Sequence, residues 1–352
     1  MSAVKTDAEV TRITLVQPDD WHLHVRDTPF TASVLPATLR CYRRAIIMPN
    51  LHPPVTTVAS AAAYRARILS AVPVGTDFEP LMTLYLNDSF DASEIRKAKD
   101  SAIVHGVKLY PKGIAHKDQP GITDIEGSFP TLEAMEKYDF PLLVHAESTD
   151  SAVDPFDRES KFVETTLTRI VERFPGLRVV VEHISTRQAV DFVLSAGPNV
   201  ASTVTPQHVL LNRGALFERG IRPHHYCIPL LKREEHRLAV LRAITSGSQK
   251  FFLGTDSAPH SRDTKENACG CPGIYSAHAS LELYAMAFDE LHAIHHLEAF
   301  ASFNEPNFYR LPRNTSTLEK KNWQLPSEFP YGTGEILIPL FAGKTLPWRL
   351  VQ

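Results

Sequence analysis

Eight short apolar runs, rich in β-branched residues, recur along the chain, and each closes on a polar residue before a turn or a helical pattern. They cover residues 13–25 with His22 and His24, 44–50, 80–86, 104–110 with Lys108, 141–147 with His145, 179–184 with His183, 200–208, and 251–256 ending in Asp256. Helix-like stretches fall between most of them, at 59–70, 92–99, 129–138, 158–174, 186–195 and 234–245. Continuous apolar strands alternating with helices imply a parallel sheet buried on both faces, and eight βα units is the number that closes a TIM-type (β/α)8 barrel. An open doubly wound sheet is the competitor, but it would gather its ligands at a switch point between a few strands. Here the candidate ligands are spread over the strand ends, which favours the barrel.

The length of 352 residues is compatible with either two domains or one barrel, since such barrels spend about 250 residues on one domain. The expected division is a single domain over 1–352, with the barrel at about 12–300 and a tail at about 301–352. A helical run at 281–297 precedes the tail, which is Pro-rich, holds one apolar strand at 335–341, and is expected to pack on the barrel.

Lys+Arg 37 against Asp+Glu 40 leaves a net charge of -3, so nothing suggests a nucleic-acid or anionic-membrane partner. A small-molecule partner is expected instead. Residues 1–11 carry Asp7 and Glu9 and no apolar core, unlike a secretory signal, and no segment is long and apolar enough to span a bilayer. The four cysteines, Cys41, Cys227, Cys269 and Cys271, are few, which fits a reducing cytoplasm. Only Cys269 and Cys271 are close together, and with no second pair to complete a zinc cage they read as loop residues.

Trp21-His22-Leu23-His24 sets two imidazoles at i and i+2 on an extended segment, on one face with Cα atoms roughly 7 Å apart. Two nitrogens so placed can meet one metal, although a pair of surface histidines has the same spacing. Asp19, Asp20 and Arg26 flank the pair, and such a charge cluster at a strand end is costly unless ions or substrate compensate it. His145, His183 and Asp256 end other strands. Four histidines and an aspartate on one rim form an N/O set suited to Zn²⁺, and five ligands exceed what one tetrahedral ion needs, which points to two metals. Lys108 is the odd member. A lysine aimed into a mouth lined by cations has a lowered pKa, and a neutral amine can take up CO₂ as an anionic carbamate. An ion pair between Lys108 and a rim carboxylate is the plainer alternative.

The segments Asp19-Asp20-Trp21-His22-Leu23-His24-Val25-Arg26-Asp27, Met48-Pro49-Asn50-Leu51-His52-Pro53-Pro54-Val55-Thr56-Thr57, Gly106-Val107-Lys108-Leu109-Tyr110-Pro111 and Gly254-Thr255-Asp256-Ser257-Ala258-Pro259-His260 resemble dihydroorotases of the bacterial single-function type, in the amidohydrolase superfamily. Arg222-Pro223-His224, Lys232-Arg233 and Phe308-Tyr309 extend the resemblance through nearly the whole chain. It implies that His22, His24 and Asp256 hold one zinc and His145 and His183 the other, with Lys108 as the bridging N6-carboxylysine. It further implies reversible cyclisation of N-carbamoyl-L-aspartate to L-dihydroorotate, a homodimer, and Asp256 as the group that carries the proton to the leaving ring nitrogen. Arg26 offers a planar fork for the substrate carboxylate, unless it pairs with Asp27 or Asp20. Asn50 and His260 match the family's other carboxylate contacts, and Ile228 and Pro272 match positions that read the ring amide.

The sequence departs from the family in the loop after the fourth strand. Ala115 and His116 stand where adjacent threonines commonly close over the substrate. Ala146 and Pro272 also replace the residues usual at their positions, and Pro272 can contribute only its carbonyl. Two rivals therefore accompany the main reading: a hydantoinase-like cyclic-amide hydrolase, and a homologue impaired by its altered lid.

Overall fold

The computed structural model describes residues 12–114, 120–268, 270–314, 316–319 and 322–350. Eight parallel strands follow one another around a barrel: β2 (Asp20–Leu23), β3 (Arg44–Ile47), β4 (Glu79–Leu86), β5 (Val104–Leu109), β6 (Leu142–Val144), β7 (Val179–Val181), β8 (Val200–Val204) and β9 (Phe251–Leu253). Each strand pairs with its sequence neighbour, as expected when right-handed βα crossovers run one way round. The circle is joined where Asp256 N–H donates to His22 O at 2.8 Å and His24 N–H to Ser257 O at 3.2 Å. The barrel expectation is met.

The first apolar run divides in two. Pro18 cannot donate to a ladder, so the chain breaks there into β1 (Arg12–Leu15), outside the barrel, and β2 within it. β1 pairs antiparallel with the tail strand Ser316–Glu319, which also pairs with Arg349–Leu350, so the two ends of the described chain share a small sheet outside the barrel ladder. The helix Asn304–Tyr309 seals the barrel floor: Tyr309 stacks on Trp21 at 4.3 Å, and Glu305 accepts the Leu253 N–H at 3.0 Å. Most other strands are shorter than the apolar runs, because the chain stays buried at the mouth after the ladder ends.

Side-chain alternation sorts the strands into two layers. Ile46, Leu81, Leu143, Val180, Ala201 and Phe252 fill the barrel interior with Trp21. Their neighbours Ile47, Val107, Val144, Val181 and Leu253 face outward into the larger core beneath the helices. The β2 register shifts between Asp20 and Leu23, so Trp21 joins the interior while the following histidine reaches the mouth. Capping threonines start several helices: Thr57 accepts from Ser60 N–H, Thr186 from Ala189 N–H and Thr205 from His208 N–H. The long helical run at 158–174 is realised as Arg158–Phe162 and Thr168–Arg173 around a π turn, and Thr31–Leu39, containing Pro36, is a helix that the sequence pattern does not reveal.

Candidate metal centre and substrate cavity

The C-terminal ends of the strands open into a cavity lined by His22, His24, Arg26, Asn50, Tyr110, His145, His183, Ile228, Asp256, His260 and Pro272, among others. Of the sequence-predicted site residues, Lys108 alone does not line it. That side chain is fully buried just below, with its Nζ 4.9 Å from the centre of the Tyr110 ring. This is the place the barrel rule assigns to chemistry: the floor is packed solid and the βα ends are free to carry polar groups.

Asp256 is the hub. Its Oδ1 lies 3.3 Å from His22 Nε2 and 3.1 Å from His24 Nε2. Donor atoms of these three residues lie within 4.8 Å of one another, and the same holds for His22, Glu182 and His183. The imidazoles continue as a chain, with ring centres 5.0 Å apart for His22 and His183 and 4.6 Å for His183 and His145. Burial lowers all four histidines below the usual range, His24 to about 4. Neutral imidazole is the form that ligates metals. Burial alone would raise the Asp256 carboxyl, but the surrounding His22, His24 and His183 outweigh it and hold that group well below its ordinary value.

Burial likewise drives the Lys108 ammonium well below its usual pKa. Its Nζ meets Glu182 Oε2, so the plain ion pair considered for Lys108 is present, and Glu182 Oε1 lies 3.0 Å from His22 Nδ1. Glu182 was not among the expected site residues. The alternation nevertheless points to it: Val180 is interior, so residue 182 is the next to face inward, as His145 follows Leu143. His183, one position out of phase, reaches the mouth by taking φ 43°. Glu147 was also missed. Against the opposing effect of burial, its carboxylate is held below its ordinary value chiefly by His145; it accepts from His145 Nε2 at 2.7 Å and orients that ring.

The acidic cluster before His22 is compensated by protein groups. Asp19 pairs with Arg44 at 2.5 Å. Asp20 accepts from the N–H and hydroxyl of Thr255, at 2.9 and 2.6 Å, and from His22 N–H, strapping the β2 end to the segment that bears Asp256. Protein groups therefore compensate these two acids, where the sequence suggested ions or substrate. Arg26 does not pair with either neighbour. Asp27 holds Arg67 at 2.8 Å, while Arg26 Nε donates to Pro259 O and its Nη2 to His260 Nε2, both at 2.9 Å. Asn50 Oδ1 lies 2.9 Å from His24 Nδ1, which leaves the other ring nitrogen of His24 facing Asp256. Ala115, His116 and Cys269 lie outside the described residues. Cys271 lines the cavity, and no cysteine enters a metal-capable group among the described residues.

The chain matches no family model. It is 58% identical over 342 residues to the dihydroorotase of Methylobacillus flagellatus, covering 97% of this chain and 99% of that protein. Its fold matches the crystal structure of Campylobacter jejuni dihydroorotase with a TM-score of 0.88 and 34% identity, covering 97% of this chain and 98% of the other. The Saccharomyces cerevisiae dihydroorotase in complex with 5-fluoroorotic acid matches with a TM-score of 0.89 at 27% identity, covering 97% and 99%.

Proposed function

The chain belongs to the dihydroorotase family, and from that premise we propose that it interconverts N-carbamoyl-L-aspartate and L-dihydroorotate at the cavity around Asp256. The observation that carries this reading is the juxtaposition, across one cavity, of a histidine–aspartate donor cluster with the Arg26–His260 pair. The first suits polarisation of an amide, and the second suits recognition of a carboxylate.

The donors fit two zinc ions. They are nitrogen and carboxylate groups, the imidazoles are held neutral, and His183 Nδ1 is buried without a hydrogen-bond partner among the described residues. His22, His24 and Asp256 would hold one ion and His145 and His183 the other. Lys108 would join them in its N6-carboxy form, which requires its amine to leave Glu182 and, neutral, to bond CO₂ with release of a proton. Zinc in such a site supplies Lewis acidity and water activated near neutral pH.

The chain's own residues account for the rest. Arg26, Asn50 and His260 hold the substrate carboxylate, while Ile228 and the Pro272 carbonyl face the ring amide. In hydrolysis Asp256 takes up the proton that the attacking water gives up and passes it to the ring nitrogen as the amide bond breaks. In cyclisation it takes the proton from the attacking ureido nitrogen, by microscopic reversibility. The partner is thus a small molecule. Homodimerisation follows from the family resemblance and is checked by light scattering. A cytoplasmic setting fits the free thiols Cys41, Cys227 and Cys271, and no described helix is long and apolar enough to cross a membrane.

The test is turnover of both substrates by zinc-loaded protein, with hydantoin as a control. Activity on hydantoin alone would favour the hydantoinase-like rival, and full metal loading without turnover would favour the impaired homologue.

A further inference from the structure

Part of the cavity wall is built from loop segments: Ile228 lies between β8 and β9, and Cys271, Pro272 and Gly273 follow β9. Neither segment belongs to the barrel ladder, so something else must fix their positions. Lys265 ends the short helix Arg262–Lys265 and is 3% exposed. Its Nζ donates to Tyr226 O at 3.1 Å, Cys271 O at 2.9 Å and Gly273 O at 2.5 Å. An ammonium has three N–H bonds, and three carbonyls from two different wall segments take them all.

The surrounding backbone is knotted at the same point. Gly273 N–H donates to Tyr226 O at 2.9 Å, Cys271 N–H to Thr264 O at 3.0 Å, and Ala258 N–H to Ile274 O at 2.8 Å. Gly273 sits at φ +147°, and a Cβ there would come within 2.6 Å of Ala258 O and 2.9 Å of His260 Cδ2. A shift of the 271–273 loop is therefore felt directly by the strap that carries His260, the partner of Arg26. Burial draws the Lys265 ammonium down to about 8, with Cys227 and Cys271 favouring the charged form and Arg26 opposing it, so the three donors persist at neutral pH.

We propose that Lys265 is a positioning residue that ties the wall segments at Ile228 and Pro272 to the His260 strap and so preforms the substrate-binding side of the cavity. The inference rests on the function proposed above for that cavity. Lys265 bonds neither Asp256 nor any candidate metal ligand, so its loss acts on substrate binding and spares the chemical step.

The experiment compares Lys265→Met and Lys265→Arg with the parent protein. It measures KM and kcat for dihydroorotate hydrolysis, zinc content, and amide hydrogen exchange in peptides covering 226–230 and 270–276. Lys265→Met is expected to raise KM about tenfold or more, with kcat within about threefold and zinc unchanged. Exchange should quicken in both peptides, and Lys265→Arg should recover part of each change. An unchanged KM, or a fall in kcat alone, overturns the proposal. If Lys265→Met does not fold, Lys265→Arg decides: a guanidinium cannot converge three donors on one point, so a parental KM and parental exchange overturn it. Failure of the parent protein to turn over dihydroorotate refutes the proposed function instead. The exchange comparison then still tests whether Lys265 holds the wall.

Discussion

Arg26→Lys separates charge from shape in the proposed carboxylate clamp. The side chain already spends Nε on Pro259 O and Nη2 on His260 Nε2, each at 2.9 Å, which fixes the guanidinium plane beside the cavity. A lysine keeps the positive charge but loses the fork, so it can neither hold both anchors nor present two parallel N–H bonds to a carboxylate. A charge-assisted hydrogen bond contributes about 1.5–3 kcal/mol. Losing one of a pair, with some disorder at His260, therefore costs about 2–3 kcal/mol, or roughly 30- to 150-fold in affinity. The clean assay is competitive inhibition by orotate, which carries the carboxylate, against uracil, which does not. The parent protein should bind orotate far better than uracil, and Arg26→Lys should weaken orotate by that factor while leaving uracil within about twofold. If the substitution weakens both equally, or leaves the preference for orotate intact, Arg26 does not read the carboxylate.

Lys108→Met conserves length but removes the amine; elemental analysis should fall from two zinc ions per chain to at most one, with turnover lower on the order of a thousandfold. Two retained ions with parental turnover would refute the bridging role. Glu147→Gln keeps the shape beside His145 but loses the charge, and should weaken zinc retention about 10- to 100-fold in a chelator competition, as loss of a group that orients a ligand does. Unchanged retention would show that the 2.7 Å contact does not matter to the metal. His278 lies between the rings of Tyr275 and Phe329, where burial, then Arg40, lowers it from 6.5 to about 3. A folded-state pKa below the unfolded value means its stability is present in full above about 6.5 and is lost as pH falls toward 3. Going from neutral pH to pH 5 should cost about 2 kcal/mol through this residue alone. His278→Phe should remove that part of the acid dependence in urea unfolding, and parallel stability curves for the two proteins would refute the assignment.

The barrel was legible because strands buried on both faces must be apolar throughout, whichever way their side chains point. Its strand ends were legible because polar residues that close such runs have only the mouth to occupy. Boundaries were less so: residues 141–147 read as one strand, whereas the ladder spans Leu142–Val144 and His145 to Glu147 stay buried beyond it. Thr31–Leu39 was hidden by Pro36, which reads as a breaker yet lies inside the helix. Glu182 was overlooked for a different reason. Equating the strands by their histidines ignores phase, and counting from the interior residue Val180 selects position 182. Lys265 carried no such signal, because its partners are backbone carbonyls, which place no mark on residue identity whether they are near in sequence, as Cys271 and Gly273 are, or far, as Tyr226 is.

Backbone conformation gives a further handle on the site that depends on no likeness to other proteins. Nine non-glycine residues among those described have positive φ. Ala102 and Arg310 end helices in left-handed turns, an ordinary way to terminate them. Arg26 at 60°, His183 at 43° and Asp256 at 44° instead follow barrel strands and meet at one cavity. A left-handed residue with a Cβ costs roughly 1–2 kcal/mol, and regular βα units need none at these points. The strain is held in place by bonds that the barrel itself does not require: Asp20 to Thr255, Thr203 Oγ1 to the His183 N–H, and Arg26 to Pro259. Relieving it would let the chain follow the strand phase, turning His183 away from Asp256 and Arg26 away from His260. Three separately strained turns that meet at one cavity fit the ligation and recognition proposed for it, and a barrel selected for stability alone would discard them.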